Sequence, residues 1–180
     1  MLHRFFGSGG GVSVPPTYRS VASATVAYPD TSITVNVPAG VLNNDVLIAF
    51  IYGNDNAQIP VITAPAGWAL IRSDTINNTR QSSYSHVASS EPANYAWTFD
   101  VGSALCGAIL AFSGVNTTTP VDAHDGATAG PATANAQAPS ITTTVTNTML
   151  VGGFAINEQP TTWTPDAGMT ERSDVSVVRA

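Results

Sequence analysis

Lysine is missing from this chain of 180 residues, whose six basic residues are all arginine. Only 10% of residues are charged, against roughly 25% in an average globular protein, so solubility rests on Thr, Ser and Asn rather than on ion pairs. The net charge of -6 leaves no cluster of cations able to displace counterions from a phosphate backbone, and nucleic acid is not an expected partner. Cysteine is almost absent too. The single Cys106 excludes an intrachain disulfide, and its setting in "ALCGAILAF" reads as a small buried hydrophobe rather than a nucleophile. No apolar run approaches the roughly 18 residues that a membrane-spanning helix needs. The opening "MLHRFFGSGGG" lacks the apolar core of a signal peptide, so neither membrane insertion nor secretion by that route is expected.

Helical periodicity is the next absence, and it gives way to short runs rich in β-branched and aromatic residues, punctuated by Gly, Pro, Asn and Asp. The reading is all-β. Strands are expected at 20–28, 32–37, 45–53, 59–63, 68–74, 79–88, 95–100, 104–114, 139–145, 148–156 and 168–177. "SITVNV" alternates Ile33, Val35 and Val37 with polar residues, the period of a strand with one wet face. "DVLIAFIYG" and "ALCGAILAFSGV" are apolar on successive residues, so both faces of those strands need cover. A loop, the N-terminal segment or a neighbouring subunit could supply it, and the neighbour is the preferred reading. The length suits one core. The chain divides into residues 1–16, an arm in which Leu2, Arg4, Phe5 and Phe6 precede a glycine-rich flexible linker, and a β domain over 17–180. Two adjacent phenylalanines on such an arm favour a partner groove over bare exposure. The stretch at 124–140, poor in bulky groups, reads as an extended surface loop.

One phrase occurs twice. "PAGWALIRSD" at 65–74 returns as "PDAGMTERSD" at 165–174; upstream, "SIT" at 32–34 is matched at 140–142, and "DVLIAF" at 45–50 by "TMLVGGF" at 148–154. Each copy spells strand, turn, buried strand, loop and a Gly-led strand, with Gly67 and Gly168 placed where a backbone turns tightly at positive φ. Two such halves stacked face to face would cover one another. After the second copy roughly 30 residues of strand would be wanting by comparison with the first. The expectation is that closing strands are either missing or supplied by another chain.

In order, "VPAGVLNNDVLIAFI", "PAGWALIRSD", "EPANYAWTF" and "GAILAFSGVNTTTPVD" resemble β-sandwich modules of tailed-phage virion proteins, also found in secreted bacterial multidomain proteins. The resemblance covers about 38–122. It implies an antiparallel two-sheet, jelly-roll-like β-sandwich with a flexible N-terminal arm. It also implies a structural role in the virion, as capsid decoration or a tail appendage, through assembly rather than catalysis. The partners so implied are other virion proteins, met through Leu2, Arg4, Phe5 and Phe6, and further copies of the chain, with a trimer favoured. The location implied is the particle surface.

The residues that could carry chemistry are few. His3, His86 and His124 have no second His or Cys at metal-ligand spacing, and no cofactor is expected. Asp122, His124 and Asp125 could cluster, but no serine stands in a nucleophile-elbow sequence, and an enzyme is not expected. "GNDNAQ" at 53–58 reads as a turn rather than a calcium loop. Trp97 alternates with Tyr95 and Phe99, which puts all three on one sheet face and in the core. Trp163, in the loop "QPTTWTP", and Tyr52 are the candidate contacts for a glycan. The alternative function is accordingly recognition of a host-surface carbohydrate, in a phage adhesin or an extracellular bacterial protein.

Overall fold

A computed structural model describes residues 15–128, 137–157 and 164–177. All regular structure among them is β: β1 (Thr17–Asn36), β2 (Val46–Asn54), β3 (Ile62–Thr63), β4 (Ala69–Ile76), β5 (Thr79–Val87) and β6 (Asn94–Ser113). They form one antiparallel sheet in the order β1-β6-β2-β5-β4, with β3 paired to β6. The all-β, antiparallel reading of the sequence is the observed class. No helix among the described residues is long and apolar enough to cross a membrane.

The two buried-strand sequences lie side by side at the centre, β2 against β6, with Ile48 opposite Leu110 and Ile51 opposite Gly107. Their side chains alternate between faces, as pleating requires. Leu47, Ala49, Ile51, Leu105, Ile109 and Ala111 join the inner core, whereas Val46, Ile48, Leu110 and Phe112 form a second cluster on the outer face. Both faces are apolar because both are covered.

The inner cover comes from the same strands that make the sheet. The sequence pattern predicts two strands at 20–28 and 32–37 and two more at 95–100 and 104–114; each pair is instead a single strand of 20 residues. The register shifts between Val26 and Asp30, and again between Asp30 and Ser32. There the Asp30 carboxylate accepts hydrogen bonds from the Thr31 and Ser32 N–H groups, turning the backbone without ending the ladder. An extended chain from Ala24 to Ile33 would span roughly 30 Å. Yet Ala24 pairs with Gly107, and a Cβ built on Gly107 would lie 3.3 Å from Ile33 Cδ1 and 3.0 Å from Val35 Cγ2. The β1-β6 ribbon therefore folds back over its own inner face. Ile33, Val35 and Trp97 are each 0% exposed beneath that fold, and Phe99 6%. Tyr95 packs partly buried at the edge of the same core, so the "YAWTF" alternation points inward as read.

The three strands expected at 139–145, 148–156 and 168–177 are not formed. A strand persists only where a neighbour takes up its backbone N–H and C=O groups. The first copy of the repeated phrase has β5 and β6 for that purpose; among the described residues the second copy has no such neighbour. The local turn is nevertheless kept in both copies. Gly67 and Gly168 have φ of 86° and 91°, and the Trp68 N–H to Pro65 O bond has its counterpart from Met169 N–H to Asp166 O.

Candidate functional site

The outer face of the central strands, with the strandless C-terminal segments laid across it, forms a cleft. Its floor is Phe50 and Tyr52 of β2, Cys106, Ala108, Leu110 and Phe112 of β6, and Tyr18 of β1; its volume is about 1660 Å3. The opposite wall is built from residues 148–157 and 164–177.

The wall is held at a few points. Met149 and Val151 pack on the outer cluster. Gly153 lies so close to Phe50 that a Cβ there would collide with the ring. The Tyr52 hydroxyl donates to Ile156 O at 3.3 Å, and the Arg172 guanidinium sits 4.1 Å over the Tyr18 ring. Upstream, the Thr144 N–H donates to Asp122 Oδ2 at 2.7 Å and the Thr144 hydroxyl to Asp122 Oδ1, which holds the Asp122 carboxyl below its usual range. The cover preferred from sequence was a neighbouring subunit; within this chain, its own C-terminal segments cover part of the outer face.

One end of the cleft is polar. Asn54, the last residue of β2, is 2% exposed, and neither its Nδ2 nor its Oδ1 has a partner. Gln81 of β5, opposite Tyr52, is equally buried and leaves Oε1 unpaired. An unsatisfied buried amide costs about 1–3 kcal/mol, so this end is stabilised by whatever supplies donors and acceptors to it. Chemically the cleft suits an amide-bearing chain with apolar side groups.

A second constellation closes the inner core at the far end of β5. His86 Nδ1 faces Gly67 O at 2.8 Å and Nε2 faces Glu91 Oε1 at 2.9 Å, while the Tyr95 hydroxyl donates to Glu91 Oε2 at 2.7 Å. Trp68 stacks on His86 with ring centroids 5.2 Å apart and meets Tyr95 and Trp97 edge-on. Burial works against the Glu91 charge, but hydrogen bonds from Tyr95, the Ser89 N–H and His86 outweigh it and lower its pKa. Burial, and then the hydrogen bond to Glu91, raise that of Tyr95. His86, Glu91 and Tyr95 satisfy one another and hold the turn at Gly67 against β5, whereas the buried indole N–H groups of Trp68 and Trp97 have no acceptor.

Of the residues singled out from sequence, Tyr52 lies on the cleft floor, half-buried. Leu2, Arg4, Phe5, Phe6 and Trp163 lie outside the described residues. Asp122 and Asp125 do not converge: the first holds Thr144, and the second meets Arg72 at 3.4 Å, where Arg72 is already bound in bidentate fashion to Asp74. Of "GNDNAQ", Gly53 and Asn54 end β2 and the remainder turns, with Asp55 Oδ2 accepting from the Ala57 and Gln58 N–H groups. Among the described residues no three His, Cys, Asp or Glu side chains gather as a metal site. Cys106 is half-buried on the cleft floor, and burial pushes its thiol up to about 11. Asn54 and Gln81 were missed. Their signal was present in the alternation, since Asn54 shares a face with Phe50 and Tyr52, but an amide at a strand end reads as turn chemistry.

No protein-family model, curated protein or solved structure matches the chain. The likeness to virion sandwich modules rests on the four sequence motifs.

Proposed function

We propose that this chain is a structural protein of a tailed-bacteriophage virion, serving in capsid decoration or in a tail appendage, and that it acts by assembly. The observation that carries the reading is the outer face: among the described residues, the two most apolar strands are covered there by segments without strand hydrogen bonds, over an open cleft. A face of this kind is completed when further β structure is added to it. The finer architecture we propose is a jelly-roll-like two-sheet sandwich in the assembled state. In it the second copy of the repeated phrase gains neighbours and becomes the opposing sheet. The preferred assembly is a homotrimer at the particle surface, joined to other virion proteins through the N-terminal arm.

Light scattering on the purified chain tests this directly. A stable trimer, with more strand content by circular dichroism than the monomer, is the expected result. A monomer at all accessible concentrations would count against assembly, and glycan-array binding by that monomer would favour a recognition role instead.

A further inference from the structure

The cleft has a specific complement. Its floor leaves parts of Tyr18, Phe50, Tyr52 and Ala108 open to apolar groups, above the already buried Leu110 and Phe112, and its polar end holds the unpaired Asn54 amide and the unpaired Gln81 Oε1. A carboxamide carries two donors on nitrogen and an acceptor oxygen, the match for a peptide group. The ligand chemistry is thus an extended peptide with aromatic side chains, and the chain contains one.

We propose that this cleft binds the segment Leu2–Phe6 of the same chain. Pro15 and Pro16, where the described structure begins, themselves line the cleft, so the arm is rooted at its rim. Between Phe6 and Pro15 runs "GSGGGVSV", which at 3.3–3.6 Å per residue reaches at most about 29 Å. A glycine-rich tether of that length holds its end at roughly millimolar effective concentration near its root. Charge agrees with placement. The arm brings His3 and Arg4, whereas the C-terminal wall carries exposed Asp166, Glu171 and Asp174 against Arg172. Leu2, Phe5 and Phe6 fill the apolar floor, and the segment's peptide groups satisfy Asn54 and Gln81. The inference concerns the isolated chain, in which the arm holds the face that the proposed assembly would cover instead with β structure. In an assembly the same segment can exchange into a neighbouring copy's cleft, as swapped elements do.

Cys106, on the cleft floor, is the reporter. Thiol modification at neutral pH is compared for the full chain, the chain lacking residues 2–6, and the full-length double variant Phe5→Ser, Phe6→Ser. Both alterations are expected to speed labelling about tenfold or more, the shift expected when apolar contacts of this size are lost. Added synthetic peptide MLHRFFGSGG should restore protection to the shortened chain saturably. Asn54→Leu in the shortened chain should weaken that peptide about tenfold while leaving the circular dichroism unchanged. Equal labelling with and without residues 2–6, or a peptide that gives no protection, overturns the site. Protection of the full chain that fades on dilution, together with a falling mass, assigns the occupant to a second copy and overturns the intramolecular placement.

Discussion

Trp97 is 0% exposed and meets Trp68, Tyr84 and Tyr95 ring to ring. Truncation to alanine leaves a cavity that the folded-back ribbon cannot fill, and Trp97→Ala is expected to cost about 3–5 kcal/mol in denaturant unfolding. Leu42, 61% exposed, is the control, with Leu42→Ala expected within about 0.5 kcal/mol of wild type. Glu91 gives a pH dependence of definite sign. Its folded pKa lies below the ordinary 4.5, so its contribution to stability is complete above that value and is lost as the pH falls through the folded pKa. The denaturant midpoint should drop in that acid window, and Glu91→Gln should flatten the part of the drop that this carboxyl causes. A midpoint that does not respond to the substitution between pH 5 and the acid limit would refute the assignment. The inward set Tyr95, Trp97 and Phe99 was legible from alternation alone. The partnership of His86 with Glu91 was not, because it joins residues on either side of a turn whose path depends on packing.

At the scale of elements, the central strands and the C-terminal segments differ in what holds them. β2 has β5 on one side and β6 on the other over its whole length, so its amides open only when the sheet does. Residues 137–157 hang on Met149, Val151, the close approach of Gly153 to Phe50, and the hydrogen bonds from Thr144 to Asp122. Hydrogen exchange should therefore be slowest in β2, β5 and β6 and fast through 137–157; uniform protection across both regions would contradict this difference. Gly153→Val should drive the segment off the face. Limited proteolysis would then cut within 137–157 earlier than in wild type while the sheet remains intact. Strand sequence was readable here because apolar alternation follows from the pleat. Whether 20–28 and 32–37 form two strands or one was not readable, since Asp30 turns the chain without breaking the ladder.

For the whole molecule, a net charge of -6 with only 10% charged residues gives the proposed assembly a definite salt dependence. In the assembly proposed above, like-charged copies would repel one another, and the outer face would attract through apolar area rather than ion pairs. Added salt screens the first and leaves the second, so the proposed oligomer is expected to tighten as ionic strength rises, a trend that analytical ultracentrifugation can follow. Dissociation by salt would point instead to an interface made of charges. The sequence by itself determined the all-β class, the alternation that buries Ile33, Val35 and Trp97, and the positive-φ turns at both Gly67 and Gly168, because each depends on the pleat or on the backbone freedom of one residue. Only the tertiary structure decided that the first copy of the repeated phrase is sheet and the second is not, for a β-strand is completed by hydrogen bonds to a neighbour that its own sequence does not contain.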